Sequence, residues 1–339
     1  MQYTSYRASL RLRRCALLTG LWIGLALSLV IVLVSSLVVE ALRRKPTPPA
    51  ALPWAPDIPI RYLDVDGVRT RYIKSGAGPT LVLLHTLRTQ LDIFQKVIPQ
   101  LARDFTVYAV DFPGHGWSDI PQTDYTPEFF ARFVTRFLDA LDIDNALMTG
   151  VSIGASIPLL MAAEGNPRIR GIVSINPFDY GNRGIDRANA VAKILFTLAP
   201  IPVIGDTVMR LRNPLVEGKV LEGGVASSSS LPRTFRDEVF TVGERPGHYR
   251  AFLNLIRHMP LWRKTHEVYG RIRVPVLLVY GDRDWSRETE RQATLREIPG
   301  ARLVMVENSG HFLPLDQPEA VIQHIRAFAR QLQLLPAES

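Results

Sequence analysis

The chain has 339 residues, 47% of them hydrophobic, which is enough for one large α/β domain or two small ones. Its formal net charge is +8, but the first 45 residues hold seven Lys or Arg against a single Glu, and the remainder holds 33 basic and 31 acidic residues. A nearly neutral folded part is not typical of nucleic-acid-binding proteins, so no nucleic-acid partner is expected. Cys15 is the only cysteine, which excludes an intrachain disulfide.

An uncharged apolar run covers residues 16–39, after a basic segment at 1–15. As a helix this run would span about 36 Å, enough to cross the hydrocarbon core of a bilayer. A cleaved signal peptide is the alternative, because Val39-Glu40-Ala41 loosely suits a cleavage site, but the apolar region of a signal peptide is only about 7–15 residues long. The sequence therefore predicts a single-pass transmembrane helix at 16–39.

The residues around this helix bear on its orientation and its contacts. Four arginines precede it, whereas three cations and Glu40 follow it. This bias favours a cytoplasmic N-terminus and an extracytoplasmic location for the domain that follows the helix, with the flanking cations facing anionic headgroups. Gly20 and Gly24 form a small-xxx-small pair, through which two such helices can self-associate.

A proline-rich segment separates the apolar run from the rest of the chain. Six prolines between 46 and 59 exclude a helix or a central strand, so residues 40–59 are predicted to be an extended linker. Strand and helix patterns then alternate, which is typical of a mostly parallel sheet with helices on both faces. The predicted strands are 61–65, 68–74, 80–85, 105–110, 146–151, 171–175, 274–280 and 301–306, and the predicted helices include 91–102, 126–142, 153–164 and 287–297.

The alternation is interrupted at about 178–262, within a predicted α/β domain at 60–333. A structureless loop of this length is uncommon inside a compact domain, so the interruption is interpreted as an inserted helical cap, with one helix near Ala188–Leu198. Caps of this kind cover active sites and shape their pockets.

The segment Gly150-Val-Ser152-Ile-Gly154 lies between a predicted strand and a predicted helix. A G-x-S-x-G sequence in this context is typical of a nucleophile elbow, a sharp turn that exposes a reactive serine hydroxyl at a helix N-terminus. An ordinary turn with a serine cap is the alternative. Ser152 is the predicted nucleophile.

A serine hydroxyl needs a base, and the base needs an acceptor that fixes its tautomer. His311 follows the last predicted strand, so its loop opens at the same edge of a parallel sheet as the turn at Ser152. Asp284 lies three residues beyond the preceding strand and is the favoured acceptor. Asp282 and Asp179 are the alternatives, of which Asp282 is expected to bond local backbone.

Acyl transfer also needs donors for the developing oxyanion. The backbone N–H of Ile153 follows the nucleophile, and a second donor is expected from the loop after His85, at Leu87. Thr86 and Arg88 in the same loop are expected to enter the substrate pocket. No metal ion is expected at this site.

These segments together resemble the α/β-hydrolase superfamily over residues 60–333. The most specific is Asp111-Phe-Pro-Gly-His-Gly-Trp-Ser118, which resembles the loop beside the active site in this superfamily, where the histidine corresponding to His115 is structural. The chain order Ser, Asp, His is also that of the superfamily. The resemblance implies an eight-stranded sheet, a Ser152–Asp284–His311 triad and no cofactor.

One position departs from the usual pattern of the superfamily. Most relatives have glycine where this chain has Thr86, and threonine here resembles the plant hydroxynitrile lyases. Those lyases carry a lysine after the catalytic histidine, whereas this chain has Phe312. The dehalogenase and epoxide-hydrolase branches use an aspartate nucleophile, which Ser152 disfavours.

The sequence therefore predicts a serine hydrolase that cleaves an ester-type bond in a small, lipophilic molecule by two-step acyl transfer. A hydroxynitrile-lyase-like or carbon–carbon hydrolase activity on the same triad is an alternative. So is a ligand-binding protein that has kept the fold without turnover.

Overall fold

The computed structural model describes residues 2–179 and 187–337, with the backbone alone for residues 2–16. Part of the predicted cap, residues 180–186, lies outside the described residues. So do the side chains of the predicted basic segment.

Eight strands form one sheet in the order β1-β2-β4-β3-β5-β6-β7-β8. β1 pairs with β2 and β2 with β4 in antiparallel fashion, and every other neighbouring pair is parallel. The predicted eight-stranded, mostly parallel sheet is thereby confirmed. The strands are β1 Ile60–Val65, β2 Val68–Ser75, β3 Thr80–Leu84, β4 Thr106–Val110, β5 Ala146–Val151, β6 Ile169–Ile175, β7 Val276–Gly281 and β8 Arg302–Val306.

Helices cover both faces of this sheet. All helices of the described residues, including the N-terminal helix α1 and those of the insertion, are α1 Gln2–Ala41, α2 Ile98–Leu101, α3 Pro127–Ala140, α4 Ile153–Ala163, α5 Ala190–Leu198, α6 Ile204–Arg210, α7 Pro214–Glu222, α8 Arg233–Gly243, α9 His248–Arg257, α10 Met259–Trp262, α11 Glu288–Glu297, α12 Leu313–Asp316 and α13 Pro318–Gln331. Short 3₁₀ turns occur at Leu91–Phe94, Ser228–Ser230 and Thr265–Arg271.

The prediction of one continuous helix at 91–102 was wrong. A 3₁₀ turn at Leu91–Phe94 ends before α2 begins. Pro99 explains the break, because a proline ring clashes with the carbonyl four residues earlier and has no N–H to donate. Pro99 instead occupies the first turn of α2, where that N–H would have no partner.

Helix α1 contains an apolar stretch at Leu17–Ala41, 25 residues with a mean hydropathy of 2.6, long enough to cross a membrane. The stretch lies within two residues of the predicted span at either end. Its large apolar side chains, such as Leu21 and Ile31, are exposed, unlike those of a core helix. α1 is therefore a candidate membrane span.

The second half of the segment predicted as a linker packs against the sheet domain. Leu52 is fully buried, and Trp54 donates a hydrogen bond from Nε1 to Oδ1 of Asp92 at 2.7 Å. Ile58 also contacts the core. The prolines exclude regular structure here, but the apolar side chains between them can pack. Residues 52–58 therefore lie against the sheet domain and do not form the extended linker that was predicted.

The two faces of the sheet each cover a hydrophobic core. Alternate residues of β3 point to opposite faces, with Val82 and Leu84 in one core and Leu81 and Leu83 in the other. All four are fully buried, which explains the continuous apolar run of this strand. Between β6 and β7, helices α5 to α10 form the predicted helical insertion.

A buried ion-pair network connects β2 to the loops beside the site. Nη2 of Arg71 lies 2.5 Å from Oδ2 of Asp92, and Nε of Arg71 lies 2.8 Å from Oδ2 of Asp111. Asp111 also accepts the backbone N–H groups of Leu91 and Trp117, both at 2.8 Å. Asp111, the first residue of the D-x-P-G-H-G-x-S segment after β4, is thus held by Arg71 of the neighbouring strand β2.

We expect Arg71→Met to lower the free energy of unfolding by about 3–5 kcal/mol, because it leaves the buried carboxylates of Asp92 and Asp111 without a cation. Urea unfolding of the detergent-solubilised chain measures the change. Arg136→Met is the matched control, since Arg136 pairs with Asp66 at 3.5 Å on the surface, and it should cost less than about 1 kcal/mol. Equal effects of the two substitutions would contradict a stabilising role for the buried network.

Candidate active site

Ser152 lies between the end of β5 and the start of α4 with φ 59° and ψ −120°. This backbone conformation is sparsely populated for a residue with a side chain and costs on the order of 1–3 kcal/mol. Within the described structure, the Ser152 side chain makes no capping hydrogen bond to α4. The turn therefore differs from an ordinary serine cap and has the geometry of a nucleophile elbow.

The glycines on either side of Ser152 are required by close backbone contacts. A Cβ on Gly150 would lie 2.0 Å from the carbonyl oxygen of Gly154, and a Cβ on Gly154 would lie 2.3 Å from the carbonyl oxygens of Leu84 and His85. No side chain fits at such distances. The G-x-S-x-G spacing thus reflects how tightly the turn packs against β3.

His311 and Asp284 approach the same edge of the sheet from the loops after β8 and β7. Nδ1 of His311 donates to Oδ1 of Asp284 at 2.6 Å, and both side chains are almost completely buried. Burial alone would raise the pKa of Asp284, but the adjacent His311 and the hydrogen bonds from Ser286 hold it below its ordinary value. Asp284 is therefore an anion at neutral pH, and Nε2 of His311 is the nitrogen available to accept a proton.

Residues that the sequence did not single out hold this pair in place. Oδ2 of Asp284 accepts the N–H of Ser286 at 2.8 Å and also its hydroxyl. Nε of Arg291 in turn donates to Oγ of Ser286 at 2.9 Å. A serine two positions after a loop aspartate is the local sequence signal for the turn at Asp284–Ser286. The contact of Arg291 could not be found in this way, because Arg291 lies on α11 and reaches Ser286 only in the folded chain.

Trp285 and Asn176 orient His311 from two further directions. The Trp285 ring stacks on the imidazole with centroids 4.1 Å apart and planes 13° apart. Nδ2 of Asn176, at the end of β6, donates to the carbonyl oxygens of Gly310 and His311, both at 3.1 Å. The sequence analysis missed both residues because neither belongs to a recognised motif.

The two alternative carboxylates have other partners. Asp282 accepts the backbone N–H of Ser309 at 3.0 Å, so it bonds backbone as expected, but that of the loop after β8 rather than of its own loop. Asp179 accepts from the hydroxyl of Thr294 at 3.4 Å, and burial raises its pKa to about 8. A carboxyl group that is largely protonated at neutral pH is a poor acceptor for a charged imidazole.

Two buried histidines near the site have structural contacts. Nδ1 of His85 lies 2.8 Å from the carbonyl oxygen of Thr86, while its Nε2 accepts the N–H of Phe112 at 2.9 Å. His115 contacts the carbonyl oxygen of Pro113 at 3.0 Å. Burial lowers the pKa of both, to about 4 for His115, so both rings are neutral; His85 connects its loop to Phe112, and His115 contacts its own turn.

A cavity of about 310 Å³ lies against Ser152 and His311. Thr86, Leu87 and Ile153 line it as well, so the structure brings together the predicted nucleophile, base and oxyanion residues. Asp284 lies behind His311, outside the lining. Apolar side chains from the helical insertion close the other side, among them Leu195, Phe196, Val208, Met209, Leu221 and Phe252.

An ion pair connects the loop after His85 to the insertion at the cavity wall. Nη2 of Arg88 lies 2.8 Å from Oε1 of Glu217 in α7, and both side chains are largely buried. The contact fixes the loop that carries Thr86 and Leu87 against the helices above it. Among the described residues, no cluster of three or more His, Cys, Asp or Glu is arranged to hold a metal ion.

The sequence of residues 81–324 matches the model of the alpha/beta hydrolase family. Since this match covers more than half of the chain, the protein belongs to that family. It is similar to an uncharacterized hydrolase of Bacillus subtilis, with 25% identity over 80% of this chain and 98% of the relative. It is also similar to haloalkane dehalogenase 2 of Mycobacterium tuberculosis, with 27% identity over 77% and 91% of the two chains.

A solved structure of a bacterial membrane phospholipase A shares the fold, with a TM-score of 0.67 and 22% identity, and covers 93% of this chain and 98% of its own. Hydrolases thus recur among the relatives, and this chain is hydrolase-like. None of these similarities determines which bond it cleaves.

Because the carboxyl of Asp179 is buried, we expect the free energy of unfolding of the chain to depend on pH. Its pKa is about 8 in the folded chain against 3.8 ordinarily, so between these values the folded state holds a proton that the unfolded state has released. Stability is therefore lost as pH rises from about 4 to about 8. Asp179→Asn should raise the free energy of unfolding at pH 8 by at least about 2 kcal/mol more than at pH 4.

Urea unfolding at a series of pH values measures this difference. Asp144→Asn is the control, because Asp144 is exposed and pairs with Arg168 at 2.5 Å on the surface. A stability difference between Asp179→Asn and the unsubstituted chain that is independent of pH would contradict the shifted pKa.

Proposed function

We propose that this protein is a serine hydrolase that cleaves esters of apolar acids or alcohols through Ser152, His311 and Asp284. The observation that carries the proposal is the 2.6 Å contact between His311 and Asp284 behind a cavity whose wall also includes Ser152 in a strained turn. Acyl transfer requires a base with a fixed tautomer that serves a serine hydroxyl, and His311 and Ser152 line the same cavity.

In the proposed first step, Oγ of Ser152 attacks the ester carbonyl carbon while Nε2 of His311 takes the hydroxyl proton. The anionic Asp284 stabilises the resulting imidazolium through Nδ1. The carbonyl oxygen becomes an oxyanion, for which the N–H groups of Ile153 and Leu87 are the proposed donors. Collapse of this intermediate expels the alcohol, which receives the proton from His311 and leaves an acyl group on Ser152.

In the second step, His311 removes a proton from a water molecule, whose oxygen attacks the acyl carbon. The intermediate collapses, the acid leaves, and the proton returns to Oγ of Ser152. Nε2 of His311 therefore holds one proton in each half of the reaction: the serine proton in the first and a proton of the attacking water in the second. The buried Asp284, Ser286 and Arg291 contacts support this cycle because they keep the imidazole in one orientation.

The cavity supports an apolar substrate. Its wall is built mainly from aliphatic and aromatic side chains of α5, α6, α7 and α9, and its volume of about 310 Å³ is at the lower end of small-molecule pockets. Thr86 adds a hydroxyl to the wall near the proposed oxyanion donors. Similarity to a dehalogenase does not favour halide displacement here, because Ser152 stands where that branch has an aspartate nucleophile.

We further propose that α1 anchors the enzyme in a membrane as a single-pass helix, with residues 60–333 as the catalytic domain. The exposed apolar surface of Leu17–Ala41 and its length support the anchor. The arginines before it support a cytoplasmic N-terminus and an extracytoplasmic catalytic domain. Gly20 and Gly24 remain the proposed contact for self-association.

We expect Ser152→Ala to abolish covalent labelling by a fluorophosphonate probe, because the probe reacts with an activated serine hydroxyl. Hydrolysis of p-nitrophenyl butyrate should fall by about 10³-fold or more. Ser228→Ala, at an exposed serine of the insertion, is the matched control and should be labelled like the unsubstituted chain. A folded, unsubstituted protein that is neither labelled nor active would favour the ligand-binding alternative.

A pair of isosteric substitutions separates the two aspartates of the β7 loop. Asp284→Asn should lower kcat for the same ester by about 10³–10⁴-fold, because the amide cannot stabilise a charged His311. Asp282→Asn should change it less than about tenfold, since Asp282 accepts from the backbone N–H of Ser309, whereas His311 contacts Asp284. Steady-state kinetics at pH 7.5 measures both. A larger loss of kcat for Asp282→Asn than for Asp284→Asn would instead make Asp282 the carboxylate that stabilises His311.

A further inference from the structure

Exposed large apolar side chains outside the N-terminal helix are concentrated in one part of the described structure. Seven of them fall between residues 194 and 216, in the first three helices of the insertion and the connections between them: Ile194, Ile201, Val203, Ile204, Leu211, Leu215 and Val216. Leu215 is 83% exposed and Val203 60%. Isolated exposed apolar residues are normal, but a set of this density marks an interaction surface.

Two of the three charged groups in residues 201–216 are paired with opposite charges, and the third, Arg210, contacts a neutral hydroxyl. Asp206 accepts from Arg257 at 2.8 Å, and Arg212 donates to Glu40 at 2.8 Å. Nε of Arg210 donates to the hydroxyl of Tyr249 at 3.2 Å. The pairing of Asp206 and Arg212 therefore lowers the cost of moving the apolar side chains out of water, while Arg210 keeps a charge that anionic lipid headgroups can offset.

The candidate membrane helix packs against this segment. α6 contacts α1, and the least exposed positions near the end of α1 are Leu33, Ser36 and Glu40, which share one helical face. Ser36 is fully buried and lies about 7.5 Å along the axis before Ala41, the end of the apolar stretch. A helix that packs there lies at the depth of the last turns of the span.

Polar contacts fix this arrangement at the end of α1. Besides the Glu40–Arg212 pair, Nη2 of Arg43 donates to the carbonyl oxygens of Arg210 and Arg212, at 2.8 and 3.3 Å. These bonds join the point where α1 would leave the bilayer to the turn between α6 and α7. The insertion is thus held beside the membrane surface rather than at the far end of a flexible linker.

The cavity opens at the same place. Leu211 and Val216 both line the cavity and are about 40% exposed, which identifies them as part of its mouth. Arg212, between them, is the residue that pairs with Glu40. The mouth of the cavity therefore adjoins the end of the candidate membrane span.

We propose that residues 201–216 insert into the lipid leaflet around α1 and that the cavity mouth at Leu211 and Val216 takes its substrate laterally from the bilayer. The substrate class is then a membrane amphiphile with a long acyl chain in ester linkage. This inference rests on the proposed esterase function and on α1 as an anchor. A bilayer is the favoured occupant of the surface because α1, packed against it, already requires lipid at that depth.

Lipid contact is tested by fluorescence on the full chain in liposomes. Since Cys15 is the only cysteine, a Cys15→Ser background allows single labelling of Leu215→Cys with an environment-sensitive fluorophore. Met305→Cys on β8 is the matched control, at an apolar residue that is 41% exposed and belongs to the edge strand of the sheet rather than to the insertion. Leu215 should give a blue-shifted signal quenched by spin-labelled lipid, and Met305 a signal quenched by iodide in water.

Iodide quenching at both positions would overturn the proposal. A blue shift at Leu215 that lipid-borne quenchers do not affect would also overturn it, because a second copy of the chain would then cover the surface.

The consequence for activity is tested with Val203→Asp and Leu215→Asp, which suit the local backbone. Val203 has φ 66°, where aspartate is better tolerated than valine, and Leu215 is the second residue of α7, where an acidic side chain favours the helix dipole. Neither residue lines the cavity. Hydrolysis of a long-chain acyl ester embedded in liposomes should fall by about tenfold or more, because a charge resists insertion, while that of soluble p-nitrophenyl butyrate should stay within about twofold.

Equal rates on the embedded ester for variant and unsubstituted chains would overturn lateral access. If the two variants lost activity on the soluble ester to the same extent, the loss would come from a damaged fold and would likewise overturn lateral access. An unsubstituted chain inactive on both esters would refute the proposed function itself, whatever the fluorescence shows.

Discussion

The backbone turn at Ser152 is the constraint on which the site depends. β5 must end, reverse and begin α4 within one residue, and the close approach of Gly150 to Gly154 and of Gly154 to the end of β3 leaves no room for a side chain on either glycine. The strain is sustained because the parallel sheet holds β3, β5 and β6 in register around it. A serine on this turn is aimed at the edge where the β7 and β8 loops also open.

Around that turn, the protein stabilises one orientation of one imidazole. Asp284 fixes its tautomer, Trp285 stacks on its face, and Asn176 holds the backbone that carries it. These contacts come from separate loops at one edge of the sheet. The imidazole is therefore preorganised by the strand order that brings these loops together, as well as by the contacting side chains. The buried Arg71 network performs the same task for the loop at Asp111.

The helical insertion serves two surfaces at once. Its inner side chains close the cavity above Ser152, whereas outer residues such as Leu215 are exposed beside the end of α1. The Glu40–Arg212 and Arg88–Glu217 pairs lie at the two borders of this layer, one at the candidate membrane span and the other at the loop after His85. A short chain of contacts therefore leads from the span to the proposed oxyanion loop.

The sequence alone determined the eight strands, the apolar N-terminal span and the identity of the G-x-S-x-G turn, because each depends on local periodicity or on a short motif. It also ranked Asp284 above Asp282 from distance along a loop. Only the tertiary structure decided that Pro99 divides the helix predicted at 91–102, that Leu52 and Trp54 pack onto the core, and that Ser286, Arg291, Trp285 and Asn176 surround the His311–Asp284 pair. The same holds for the packing of α6 on α1. These contacts join residues far apart in sequence, and no local pattern encodes which distant side chains will meet once the sheet has formed.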